Sequence, residues 1–457
     1  MTAPPWARQT IWYHLYPLGF LGAEARQPTP MAGAPVQHRL RALEPWLGYL
    51  EDLGVGGLLL GPVFASESHG YDTVDYFRVD PRLGDEDDLA WLCDACHRRG
   101  LRVLLDGVFN HVARSFPAFA DVRAHRAASR YATWFRPDFD APGPDGFTYA
   151  TFEGHRHLVA LNHAEPAVLD LATQVASHWI ERGADGFRLD AAYAVPAAFW
   201  AAFATRVRAR RPDAYLVGEV IHGDYARFVR ESTLDAVTQY ELWKAIWSAL
   251  NDRNFFELAH ALRRHQTFLD VFPPLTFVGN HDVTRIASQL HDARHLGHAL
   301  AVLFTVPGTP AIYAGDEQGW RGIKHHREGG DAEIRRPFPA TPAELGEERP
   351  PTYRLHQELI RARRAFPFVA DGRVHIRHLA SQQLVYEVIG GAGEVLLTAL
   401  NLADRPAVLD LSGSAFRAER AAAGDPVGVE SLMSGSRLTL PPVGWAVLGP
   451  TTSRCGR

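Results

Sequence analysis

An α/β fold, in which eight parallel strands alternate with helices and close into a barrel, is the architecture this sequence predicts. Three observations predict it. Eight short runs rich in Val, Leu and Ile recur along the chain, and helix-period segments separate them. The length of 457 residues suits a barrel with an insertion and a small appended domain. Eight such units favour a closed TIM barrel over a doubly wound open sheet.

The strands are expected at 12–16, 57–60, 102–107, 186–190, 215–219, 236–240, 275–279 and 311–313. Between the third and fourth lies far more chain than one helix and two loops require. An inserted subdomain is therefore expected over 112–165. It is turn-rich through RPDFDAPGPDGF, and a helix over 166–182 returns the chain to the barrel. The barrel then occupies 1–111 and 166–370, with its last helix over 353–366. Beyond it, the alternating segments RVHIRHL, LVYEVIG, EVLLTALNL and GWAVLGP predict a C-terminal antiparallel β-sandwich domain over 371–457.

Composition excludes several function classes. With 46% hydrophobic and 22% charged residues, the chain reads as globular, not disordered. A net charge of −5 without runs of like charge gives no nucleic-acid footprint. No 18-residue apolar stretch predicts a membrane span. The start, MTAPPWARQTIWYHL, lacks the features of a secretory signal, so a cytoplasmic protein is expected. Three cysteines, an odd number, suit reduced thiols. The expected partner is a small uncharged molecule, and a homodimer is the default assembly.

Carboxylates at the C-terminal ends of barrel strands carry the chemistry, because the strands aim them into one mouth. Asp106 follows VLL, Asp190 ends GFRLD, Glu219 ends YLVGE and Asp282 closes FVGNHD. A glycosidase needs one carboxylic acid to protonate the leaving oxygen and one carboxylate to attack or to activate water. Adjacent strands four and five can hold such a pair roughly 5 Å apart, the retaining geometry. Arg188 lies two residues before Asp190 and faces the same way, so it should keep Asp190 ionised as a nucleophile. Glu219, with a negative neighbour and desolvated by substrate, suits an acid that later acts as base.

DGVFNH (106–111), GFRLDAAY (186–193), GEV (218–220) and FVGNHD (277–282) resemble the four signature regions of glycoside hydrolase family 13, the α-amylase superfamily, in order and across the barrel. The resemblance implies Asp190 as nucleophile, Glu219 as acid/base and Asp282 as a stabiliser that grips sugar hydroxyls. It implies that His111 and His281 bond hydroxyls of the attacked sugar and that Arg188 partners the nucleophile. It further implies that Tyr71 stacks on that sugar, that Asp106 supports the site and that Arg285 contacts a hydroxyl. EGHRHLVALNHAEP (153–166) is similar to the fifth region of neopullulanases and cyclomaltodextrinases, with Ala160 where a charged residue is common.

The pattern also departs from the family. Tyr193 and Ala194 stand where α-amylases carry a Lys-His pair, which argues against endo-cleavage of starch and against the usual calcium site. Asn110 remains as a candidate ligand of that site. No cofactor is expected. The first strand is expected near Trp12, so the N-terminal β domain of the neopullulanase group is not expected, and the short cyclic maltosyl-maltose hydrolases are similar in that respect.

The expected function is a retaining glycoside hydrolase acting on α-1,4 or α-1,6 bonds in maltooligosaccharides or in cyclic or branched α-glucans. Interception of the covalent intermediate by a sugar hydroxyl would give a transferase or a maltose isomerase in its place. A catalytically inactive binding protein is the third reading, and the intact carboxylates argue against it. Cys93-Asp94-Ala95-Cys96-His97 spells a haem-attachment motif, but Leu89, Leu92, Cys93 and Cys96 fall on one helical stripe and read as core.

Overall fold

In a computed structural model of the chain, which describes residues 3–26, 33, 35–327, 329–346, 348–412, 414, 420–424, 433–434 and 436–449, eight parallel strands form one sheet. They are β1 (Trp12–Leu15), β2 (Gly57–Leu60), β3 (Arg102–Gly107), β4 (Gly186–Leu189), β5 (Tyr215–Gly218), β6 (Ala236–Val237), β7 (Leu275–Phe277) and β8 (Thr309–Tyr313). Consecutive strands are neighbours, and β1 pairs with β8. A parallel bridge from Thr238 to Leu275 joins β6 to β7 and closes the barrel. β6 is shorter than expected because Tyr240 already opens a helix, Tyr240–Asn251. Thr238 still donates to Gly218 O at 3.1 Å and Gln239 to Leu275 O at 2.9 Å, so the ladder continues without the strand.

Register decides what faces the barrel axis. Arg188 on β4 sits between Asp106 on β3 and Val217 on β5. Alternation then puts Gly186, Arg188 and Asp190 on one face and Phe187 and Leu189 on the other, against the helices. Gly186 is required by a close approach, since a Cβ there would lie 1.9 Å from Tyr215 O. Among the described residues, ten helices have eight residues or more, one of them, Pro117–His125, in the insertion after β3. Glu86–His97 starts with a reciprocal cap in which Asp85 accepts from Asp88 N–H and Asp88 accepts from Asp85 N–H. Cys93 and Cys96 are buried on this helix as free thiols, and Cys455 lies outside the described residues.

Two excursions shape the mouth of the barrel. After β2, a hairpin of Phe64–Ser66 and Thr73–Val79 carries Tyr71 in its loop. After β3, the strand His111–Ala113 pairs with His155–Ala160, which pairs in turn with Thr151–Phe152. A second two-stranded piece, Pro137–Asp138 with Thr148–Tyr149, packs through Phe119, Phe135, Phe147 and Tyr149. The helix Pro166–Ile180 then leads into β4.

The C-terminal part holds β9 (Arg373–Leu379), β10 (Gln383–Ile389), β11 (Val395–Asn401), β12 (Arg420–Gly424) and β13 (Trp445–Gly449), in the order β9-β10-β11-β13-β12. Its alternate residues Leu384, Tyr386, Leu396, Leu400, Trp445 and Val447 belong to the same buried cluster as the barrel. Val385, Leu397, Ala399 and Leu448 face a second sheet, which contributes Leu409, Leu438 and Leu440. Among the described residues, no helix is long and apolar enough to cross a membrane.

Candidate active site

Three strand ends bring acidic residues onto one buried guanidinium, and a fourth carboxylate, Asp282, lies near them. Arg188 Nη1 donates to both oxygens of Asp106, at 2.8 and 2.7 Å, and to Asp190 Oδ1 at 3.2 Å. Its Nη2 lies 2.6 Å from Glu219 Oε1. One cation thus touches the carboxylates of β3, β4 and β5. Immediately after Asp190 the chain turns through Ala191 in the left-handed region, φ +44°. That strained turn aims Ala191 N–H at Glu219 Oε2, 3.1 Å away. Tyr240 OH donates to Glu219 Oε1 at 3.2 Å and is itself held by Asn280 Nδ2 at 2.9 Å.

These contacts differ from the expectation that Arg188 serves mainly Asp190. The guanidinium is bidentate to Asp106, its second nitrogen goes to Glu219, and Asp190 keeps the longest contact. Burial, then the facing Glu219 carboxylate, push the Asp190 carboxyl well above the usual range against the pull of Arg188. Burial likewise raises Asp106.

Asp282 is held differently. Against its burial, His281, Arg335 and Arg188 keep its carboxyl well below the usual range. His281 Nε2 is 2.9 Å from Asp282 Oδ2, and Arg335 Nη2 donates to Oδ1 at 2.7 Å. His281 also touches the Tyr71 hydroxyl, which donates to Asp106 Oδ2 at 3.0 Å. The Tyr71 and Tyr16 rings lie nearly parallel to His281, with centroids at 5.5 and 5.8 Å. His14 Nε2 is 3.1 Å from His281 Nδ1, and burial keeps His14 neutral.

His111 stacks on Phe152, 4.7 Å between centroids. Burial lowers it to about 3, and Asn110 Nδ2 donates to its Nδ1 at 3.0 Å, which places the ring proton on Nε2. That buried Nε2–H has no partner, as a hydroxyl-binding donor requires. Among the described residues, no three His, Cys, Asp or Glu ligand atoms gather around Asn110. The one such group, His38, Asp85 and Asp88, is engaged in a helix cap and with Arg41.

The structure brings together Tyr71, Asp106, Arg188, Asp190, Glu219, His281 and Asp282. It does not bring Arg285 to them. Arg285 is buried with Nη1 on Asp316 Oδ1 at 2.8 Å, Nη2 on Ile334 O at 2.8 Å and its guanidinium over Tyr313. Sequence reasoning missed Arg335, Tyr240, His14 and Tyr16. His14 carried a signal, because it shares the inward face of β1 with Trp12. Arg335 carried none, since it reaches Asp282 from a long loop after β8 whose path no periodicity reveals.

Comparison with known proteins agrees with this geometry. The family described as the α-amylase catalytic domain matches residues 40–352. A cyclomaltodextrinase of Geobacillus thermopakistaniensis is 34% identical over 401 residues, covering 81% of this chain. The chain spans 65% of that relative's length. The debranching enzyme of Nostoc punctiforme superposes with a TM-score of 0.82 at 26% identity, over 98% of this chain and 100% of that one. The cyclic α-maltosyl-(1→6)-maltose hydrolase of Arthrobacter globiformis superposes with a TM-score of 0.80 at 25% identity, with the same coverage. With strand-end carboxylates, barrel and sequence in agreement, the chain belongs to the α-amylase family, glycoside hydrolase family 13.

Proposed function

We propose that this chain is a retaining glycoside hydrolase of α-glucosidic bonds, α-1,4, α-1,6 or both, in maltooligosaccharides and cyclic or branched α-glucans. One observation carries the reading: Asp190 and Glu219, on adjacent strands, share the guanidinium of Arg188 and so face a common point. The similarity to a cyclomaltodextrinase and to a cyclic maltosyl-maltose hydrolase supports short and cyclic substrates.

In this reading Asp190 attacks the anomeric carbon while Glu219 gives its proton to the leaving oxygen, which forms a glycosyl ester and frees the leaving sugar. Positive charge growing at the anomeric carbon favours ionised Asp190. Water then attacks the ester, Glu219 takes its proton, and Asp190 is released. Asp282 is kept ionised to bind hydroxyls as the ring distorts, with His111 Nε2–H and His281 as further contacts. Tyr71 offers its ring face to the sugar. Buried free thiols at Cys93 and Cys96 suit a reducing cytoplasmic setting.

The test is hydrolysis of maltoheptaose, a cyclodextrin, pullulan and maltose by the chain and by Glu219→Gln, with products resolved by chromatography and their anomeric form by NMR. Cleavage is expected with α-configured products, and the variant should lose roughly 10²–10⁴ in rate. Equal rates for both proteins would sink the acid/base assignment. Longer products or trehalose would replace hydrolysis by transfer or isomerisation.

A further inference from the structure

Two loops that leave neighbouring strands are tied together by a buried ion pair that the chemistry above does not use. Arg285, in the loop after β7, places Nη1 2.8 Å from Asp316 Oδ1, in the loop after β8. Both side chains are buried, and Asp316 Oδ2 and Arg285 Nε have no partner among the described residues. A buried ion pair with unpaired atoms is a weak source of stability, so what it holds in place accounts for it better than its strength. Burial pushes the Asp316 carboxyl up to about 6 against the pull of Arg285, so Asp316 is ionised at neutral pH.

The backbone of both loops is shaped around this pair. Gly279 in FVGNHD, three residues before Asp282, leaves the space that Asp316 occupies, since a Cβ there would lie 2.5 Å from Oδ2. Arg285 N–H donates to Gly322 O at 3.1 Å, and Lys324 N–H to Thr284 Oγ1 at 3.1 Å. Glu317 anchors the start of the loop after β8, where its Oε1 accepts from Tyr49 OH at 2.6 Å and its Oε2 from Gly315 N–H at 2.8 Å. Arg285 holds the far end of that loop. Its Nη2 donates to Ile334 O at 2.8 Å, and Tyr313 OH donates to the same carbonyl at 2.7 Å. The next residue is Arg335, whose Nε donates to His281 O at 2.9 Å and whose Nη2 donates to Asp282 Oδ1 at 2.7 Å. Asp282 keeps 35% of its side-chain surface open, as a group that meets substrate must, so its partners and not packing alone set its place.

We infer that Asp316 and Arg285 are positioning residues for Asp282: Asp316 orients Arg285, Arg285 with Tyr313 pins the Ile334 carbonyl, and the pinned backbone sets Arg335 on the Asp282 carboxylate. This rests on the glycosidase reading above, in which Asp282 grips hydroxyls as the ring distorts.

An interaction made only as the ring distorts shows in kcat and not in KM. The experiment measures kcat, KM and melting temperature at neutral pH, on whichever of maltoheptaose, a cyclodextrin and pullulan the parent chain cleaves fastest. Asp316→Asn and Arg285→Met should each lower kcat about tenfold with KM within about twofold of the parent. Arg285→Lys keeps the charge beside Asp316 and loses the fork, so kcat should fall less, about threefold. In an Arg335→Met chain, whose kcat is already lowered, Asp316→Asn should change kcat by less than about twofold, because the route to Asp282 is already cut. A merely structural pair would lower kcat by the same factor in both backgrounds. Tyr313→Phe loses only the bond to Ile334 O and should lower kcat about threefold in the parent background alone, which carries the test if Asp316→Asn does not fold. Equal falls in both backgrounds, or kcat within about twofold of the parent in every variant, overturn the inference alone. Failure of the parent chain to cleave any of the three substrates overturns the glycosidase reading, and this inference with it.

Discussion

Arg188 is one cation among three buried carboxylates, and that imbalance dictates what substitution does. Removing it leaves Asp106, Asp190 and Glu219 facing one another without compensation. Arg188→Ala should therefore lose about 3–5 kcal/mol of stability at neutral pH, read by urea denaturation. A loss under about 1 kcal/mol would show that the carboxylates are screened by other groups. Asp190 and Asp282 act with opposite sign. Asp190 has a folded value above its unfolded value of about 3.9. Its contribution is complete below that unfolded value and is lost as pH rises through the folded one. Asp282 has a depressed folded value, so its contribution is present above about pH 3.9 and is lost as pH falls through the folded value. Thermal melts across pH 5–9 should thus show a shallower alkaline decline for Asp190→Asn than for the parent chain. Parallel curves would mean that the Asp190 carboxyl does not set that decline.

At the scale of elements, the site depends on how tightly β4 and β5 approach. Gly186 opens β4 with no room for a side chain against Tyr215 O, and Arg188 and Asp190 follow on the same face. Gly186→Ala should cost about 3 kcal/mol and lower activity with it, because the strand that carries both residues must shift. Melting temperature and kcat measured on one preparation check this, and an unchanged kcat beside a lowered melting temperature would separate strand position from chemistry. Most strands were legible because parallel strands buried on both faces read as apolar runs. β6 was legible only in place, since two ladder bonds at Thr238 and Gln239 replace three residues of strand. Within the site, residues on strand ends were readable from motif and alternation. Arg285 was misplaced because its motif position says nothing of Asp316, the buried carboxylate that captures it.

Over the whole molecule, the C-terminal sheet completes the barrel's packing. His298 Nε2 is 3.1 Å from Asn401 O and 3.2 Å from Gly444 O, and Trp445 packs so closely on the helix Leu296–Thr305 that a Cβ on Gly297 would lie 2.3 Å from its Nε1. Barrel and C-terminal residues share one buried cluster. Calorimetry should accordingly show a single unfolding transition, whereas two resolved transitions would mean that the sheet folds apart from the barrel. The sequence by itself determined the class of fold and the carboxylates at the strand ends, because period, strand length and strand-end position are local properties of the chain. Only the tertiary structure decided how one guanidinium is divided among three carboxylates, that Arg335 reaches Asp282 while Asp316 captures Arg285, and that Glu153 meets Tyr193. Each of those depends on distant segments meeting in space, and no local pattern encodes such distances.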